Sequence, residues 1–146
     1  MRFLLPPRHL QPTLELLEAM PLAASASRAR TKLVHLLKAA YARFAEDEYD
    51  LVAHYATCHD DGTPVVDSHG MFTLKDPDTA AEFHSHHDTL LNTRVEVAGA
   101  TYEQHACDIL DFLKSSTMEL SGCQAEAYDA LYDAITETVA GGQQHP

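Results

Sequence analysis

Ten histidines in 146 residues are the side chains best able to do chemistry in this chain, and they bunch. Glu82, His84, His86, His87 and Asp88 sit in one short stretch. On a helix, His84 and Asp88 share a face at i, i+4, and so do His87 and Leu91. Cys58-His59-Asp60 and the pair His105 and Cys107 could add ligands from elsewhere in the chain. A zinc site needs three or four such groups converging at about 2.0–2.3 Å. No Cys-x-x-Cys, no His-Glu-x-x-His and no His-x-x-x-His on a predicted helix is present. The cluster therefore reads as a solvated polar helix face. No metal and no cofactor is expected; if a metal does bind, His84, His86 and His87 are its ligands.

Other chemistries find less support. His59-Asp60 resembles the pair found in metal-dependent phosphohydrolases, but it stands at a predicted turn with no further ligands on separate helices. Asp60-Asp61-Gly62 followed by Asp67 lacks the alternating oxygen ligands of a calcium loop, and Met71 stands where its terminal Glu belongs. Cys58 neighbours His59, yet no oxyanion donor or third member can be named. No glycine-rich loop precedes a helix to cradle phosphate. The carboxylates offer no isolated acid–base pair. No catalytic residue is assigned.

Charge is divided unevenly. Residues 1–43 carry seven Lys/Arg against two acids, and residues 44–146 carry three against twenty, so +5 and −17 make up the formal net charge of −12. Phosphates would be repelled by the C-terminal two-thirds, so direct nucleic-acid binding there is not expected. An acidic surface that docks on a basic protein is expected instead. Three cysteines at irregular spacing are no disulfide framework, which fits a reducing cytoplasm. Two prolines interrupt the apolar N-terminal run, which resembles neither a signal peptide nor a membrane span.

The elements that must position these groups follow from periodicity and punctuation. Arg2–Leu5 is a short strand or an extended lead-in. Residues 12–20 form a short helix stopped by Pro21. Residues 25–56 are the strongest helical signal, one long helix or two with a break near Glu46-Asp47-Glu48, with Val34, Leu37, Tyr41, Phe44, Leu51 and Tyr55 on one stripe. Glu48 lies on that stripe, where it snorkels to solvent or meets a nearby base; the sharper alternative is a buried functional carboxylate. Residues 64–74 read as a β-hairpin with Gly70 in the left-handed turn position. Asp76-Pro77 caps and starts a helix that runs to about Leu91. Residues 93–98 alternate as a third strand. Residues 101–115 form a helix with Tyr102, Ala106, Ile109 and Leu113 on one face. Ser121, with Gln124 three residues on, opens the last helix. Tyr128, Leu131, Tyr132, Ile135 and Val139 are its stripe, and Gly141 marks its end.

The expected fold class is α+β, mainly helical, with four to five helices and a small antiparallel sheet made of the hairpin plus one strand. Residues 1–140 are expected to form a single domain and residues 141–146 a flexible tail. The bases Arg28, Arg30, Lys32 and Lys38 could touch nucleic acid or phospholipid. The acidic remainder of the chain favours an intramolecular role, facing Asp108, Asp111, Asp129 and Asp133.

Three runs carry a resemblance: Phe44–Tyr55 (FAEDEYDLVAHY), Asp61–Leu74 (DGTPVVDSHGMFTL) and Glu119–Asp133 (ELSGCQAEAYDALYD). Together they resemble a domain-of-unknown-function family of proteins of about this length from phages and prophages of lactic-acid bacteria and related Firmicutes. The likeness spans nearly the whole chain, and the C-terminal run is its most specific part. It implies a phage context inside a bacterial cytoplasm and brings no activity or catalytic residues.

The functional expectation is a non-enzymatic phage or prophage accessory protein. It would bind a protein partner with a basic surface and inhibit a host nucleic-acid-binding or defence protein, with no direct nucleic-acid contact and no membrane. Asp108, Asp111, Asp129 and Asp133 are the partner-binding candidates, because each lies on a predicted helix and off its apolar stripe. The alternatives are a virion or tail-assembly factor and a small His-dependent metal hydrolase.

Overall fold

In a computed structural model that describes residues 1–143, the order is β1 (Arg2–Leu5), α1 (Leu10–Ala19), α2 (Ala24–Tyr55), α3 (Ala80–Asn92), β2 (Val95–Ala98), α4 (His105–Ser115) and α5 (Gly122–Gln143). Short 3-10 turns at Pro7–His9 and Pro77–Thr79 lead into α1 and α3. The fold is α+β and mainly helical, with one two-stranded antiparallel sheet among the described residues. The chain divides into two compact units. One is Met1–Tyr41 with the segment from Arg94 onward, and the other is Ala42–Thr93.

In the first unit, Phe3 stands opposite Val97 and Leu5 opposite Val95. Phe3, Leu5 and Val97 are buried, so strand alternation puts one sheet face on the core. The strand over 95–98 therefore pairs with the N-terminal lead-in, not with the hairpin. α5 packs against α1, α4 and β1 through Ala127, Leu131 and Ile135, all fully buried. Tyr128 is half-buried, and its hydroxyl donates to the Leu113 carbonyl at 2.6 Å. α5 runs on through Gly141 and Gly142 to Gln143, beyond the end expected at Gly141. Neither glycine takes the left-handed conformation that would stop a helix. The rest of the expected tail, residues 144–146, lies outside the described residues.

α2 is unbroken through Glu46-Asp47-Glu48. Its buried line in the first unit is Ala29, Leu33, Val34, Leu37 and Ala40, whereas Tyr41 is exposed. Small alanines occupy the stripe where a reading weighted toward large side chains places aromatics. Arg30 explains how α1 ends. Its guanidinium donates to the carbonyls of Leu17, at 3.1 Å, and Met20, at the helix end where carbonyls lack i+4 amide partners. A cation at that end also meets the negative pole of the α1 dipole.

In the second unit, Phe44 and Tyr55 of α2 are buried, as is Phe83 of α3. Asp76 caps the turn into α3, its carboxylate accepting from the Asp78 amide at 3.0 Å. Between the two helices the chain folds back on itself through isolated antiparallel bridges, Cys58 with Pro64 and Val66 with Phe72. Gly70 holds the turn at φ +75°, and the Asp67 carboxylate accepts from the amides of His69 and Met71. The expected hairpin is thus a turn with single bridges, not two strands. Pro64 offers no amide to a ladder, and Val65 and Val66 are exposed, so no buried face rewards extension of the pairing.

Candidate functional site

The histidine cluster sits on α3 in the second unit. His84 and His86 are exposed, and His86 Nε2 lies 3.9 Å from Glu82 Oε1 one turn back. His87 is half-buried and differs from both. Its Nε2 is 2.9 Å from Glu48 Oε2, and its ring stacks on Phe83 at 5.6 Å with an interplanar angle of 11°. Glu48 on the α2 stripe is therefore a hydrogen-bond partner that ties α2 to α3. Phe83 also meets Tyr55 edge-on at 5.7 Å and Phe72 at 5.4 Å. The cluster is thus part solvated face and part aromatic core. Among the described residues, no three His, Cys, Asp or Glu side chains converge as a metal site would require.

The loop residues are held by local structure. Cys58 Sγ lies 3.4 Å from the Ala53 carbonyl and 3.3 Å from that of Ala56, as a thiol donor would. Asp61 accepts from the Thr63 hydroxyl at 2.6 Å and the Thr63 amide at 3.0 Å, which holds its carboxyl below its ordinary value. His59 closes the turn, its carbonyl accepting from the Gly62 amide at 2.9 Å. Asp60-Asp61-Gly62 is a turn in which the one carboxylate so held serves its own backbone.

The four candidate aspartates lie in the first unit. Asp108 and Asp111 are neighbours at i, i+3 on α4, and both border a groove of about 490 Å³. Asp108 is half-buried and accepts from the Tyr102 hydroxyl at 2.8 Å. Partial burial and that bond push the Tyr102 phenol up to about 12. Asp111, Asp129 and Asp133 are exposed, the last two at i, i+4 on α5. Among the described residues, none of the four lies within ion-pair distance of Arg28, Arg30, Lys32 or Lys38. The expected intramolecular pairing is replaced by more local partners. Arg30 binds carbonyls of its own neighbourhood, and Lys38 reaches Glu18 at 3.7 Å.

One residue that the sequence offered only as a possible extra ligand is a core group. His105 is fully buried at the start of α4. Its Nε2 lies 2.8 Å from the Ala29 carbonyl, which can only accept, so Nε2 carries the proton. Nδ1 is buried without a hydrogen-bond partner. A second proton there would place an unpaired charge in the core, and burial accordingly lowers the His105 value from 6.5. The signal was spacing: residues 105, 109, 112 and 113 form one helical face, on which a histidine shares the burial of Ile109, Phe112 and Leu113.

A pH dependence follows. The folded state refuses a proton that the unfolded ring takes up near 6.5, so the His105 contribution is complete above that pH and is lost progressively below it. His9, lowered by burial and by Arg8, acts in the same direction. Urea midpoints measured between about pH 8 and pH 5.5 should fall with acid, and His105→Gln should flatten that slope. An equal slope in the variant would show that His105 is not the titrating group.

A family model described as "Protein of unknown function (DUF1617)" matches residues 9–142. The chain belongs to that family. No curated protein and no solved structure matches it. The DUF1617 match covers the whole second unit, all of α1 to α4 and α5 as far as Gly142. The groove, the aspartates and the histidine cluster are thus all features of a DUF1617 chain. Among its described residues no helix is long and apolar enough to cross a membrane.

Proposed function

We propose that this DUF1617 protein is a non-enzymatic accessory protein of a phage or prophage, acting in the bacterial cytoplasm by binding a protein with a basic surface. The observation that carries this reading is the set Asp111, Asp129 and Asp133. They are exposed on α4 and α5 with no Lys or Arg in ion-pair distance among the described residues, in a chain of net charge −12. Exposed acids left without local bases speed encounter with a cationic surface and make it salt-dependent. A host protein that normally holds nucleic acid is the partner class such a surface suits, and its inhibition is the proposed outcome.

The test is retention of a basic host protein by the immobilised chain. Binding should be strongest at low salt and should fall as ionic strength rises. Asp111→Asn, Asp129→Asn and Asp133→Asn combined should weaken it and reduce the salt slope, with the circular dichroism spectrum unchanged. Asp108 is left intact, because its carboxylate holds Tyr102. Equal binding and an equal slope in the triple variant would overturn the proposal.

A further inference from the structure

We infer that the groove beside α4 is an anchoring site for a cationic, amphipathic peptide segment of the partner, one apolar side chain entering it while a neighbouring Lys or Arg meets Asp111. This inference rests on the proposed binding of a basic protein and narrows it to one place. The groove lies within the first unit, between residues 20–26 and the stretch 108–118. Its apolar lining includes the buried Met20 and Phe112 and the half-buried Leu22 and Met118. A volume of about 490 Å³ falls in the range of pockets that bury several side-chain groups. Methionine side chains adapt to irregular apolar occupants.

Charge decides the class of occupant. Two carboxylates border the groove, and no Lys, Arg or His lines it. The Asp111 carboxylate has neither a hydrogen bond nor an ion pair among the described residues, and Asp108 accepts from Tyr102 through Oδ2. An apolar or anionic occupant at Asp111 would strip its water without returning a partner, at a cost, and a neutral donor would return only the weaker, uncharged bond. An occupant that carries a cation next to an apolar group returns one. Asp108 is already engaged by the Tyr102 hydroxyl, which leaves Asp111 as the freer anchor of the two acids.

The experiment uses the full chain with labelled methionine methyls and a capped hexapeptide of alternating Leu and Lys. The Met20 and Met118 resonances should shift with peptide in a saturable way. Replacing Lys by Gln, or Leu by Ser, should each weaken the titration, because both halves of the occupant are needed. Asp111→Asn should weaken binding of the Leu/Lys peptide about fivefold and leave the Gln peptide unaffected. Absence of saturable shifts at Met20 and Met118 would overturn the inference. So would equal binding of the Lys and Gln peptides. Salt-dependent binding that survives Asp111→Asn but is lost in Asp129→Asn with Asp133→Asn would also overturn it, while leaving the proposed binding of a basic protein standing.

Discussion

Leu131→Ala should lower the free energy of unfolding by about 2–5 kcal/mol, because the side chain is fully buried and the site cannot collapse freely around the cavity left behind. Leu131 sits on the Ala127–Leu131–Ile135 line of α5, the helix that packs against α1, α4 and β1. A loss there is felt where α5 meets α1, α4 and β1. Urea denaturation checks the value, and Leu131→Met, which keeps volume, should cost less than about 1.5 kcal/mol. A change within about 0.5 kcal/mol for the alanine variant is the size seen for surface substitutions, and would show that this stripe is not core.

Phe83→Ala should cost about 3–5 kcal/mol. Phe83 is the one buried residue of α3, and its ring meets Tyr55, Phe72 and His87. Removing it takes away the platform on which His87 stacks while the ring nitrogen meets Glu48. Amide exchange along α3 should therefore accelerate sharply, and Phe83→Leu should restore part of the protection because it keeps apolar volume. Unchanged exchange in the alanine variant would show that α3 is held by something other than this aromatic cluster.

Much of the fold was legible because its signals are local. A helix writes its buried face at steps of three and four, so residues 25–56 announced α2 within a residue at either end. Asp76-Pro77 announced the start of the third helix, because a capping carboxylate and a ring-locked φ act within one turn. Gly70 announced its turn because φ +75° is nearly closed to other residues. Even the mixed α+β class followed from the order of such segments. The candidate aspartates were also legible as residues off the apolar stripes, and Asp111, Asp129 and Asp133 are exposed.

What spacing cannot encode is which distant groups meet. Arg2–Leu5 read as a short strand or a lead-in, and its partner Val95–Ala98 comes from across most of the chain, a pairing that one strand alone does not specify. Glu48 was readable as a misfit on an apolar stripe, but its partner His87 comes from another helix. Arg30 was expected to face the acids of the C-terminal helices, yet it satisfies the carbonyl end of α1. His105 looked like one histidine among ten, and only the fold brings the Ala29 carbonyl to its Nε2 and leaves Nδ1 dry. By itself, the sequence determined where the helices lie to within a few residues, and how charge is distributed along the chain, because those properties arise from close neighbours. The tertiary structure decided which polar groups are taken up and which acids stay unpaired, because burial and long-range packing choose each group's partner.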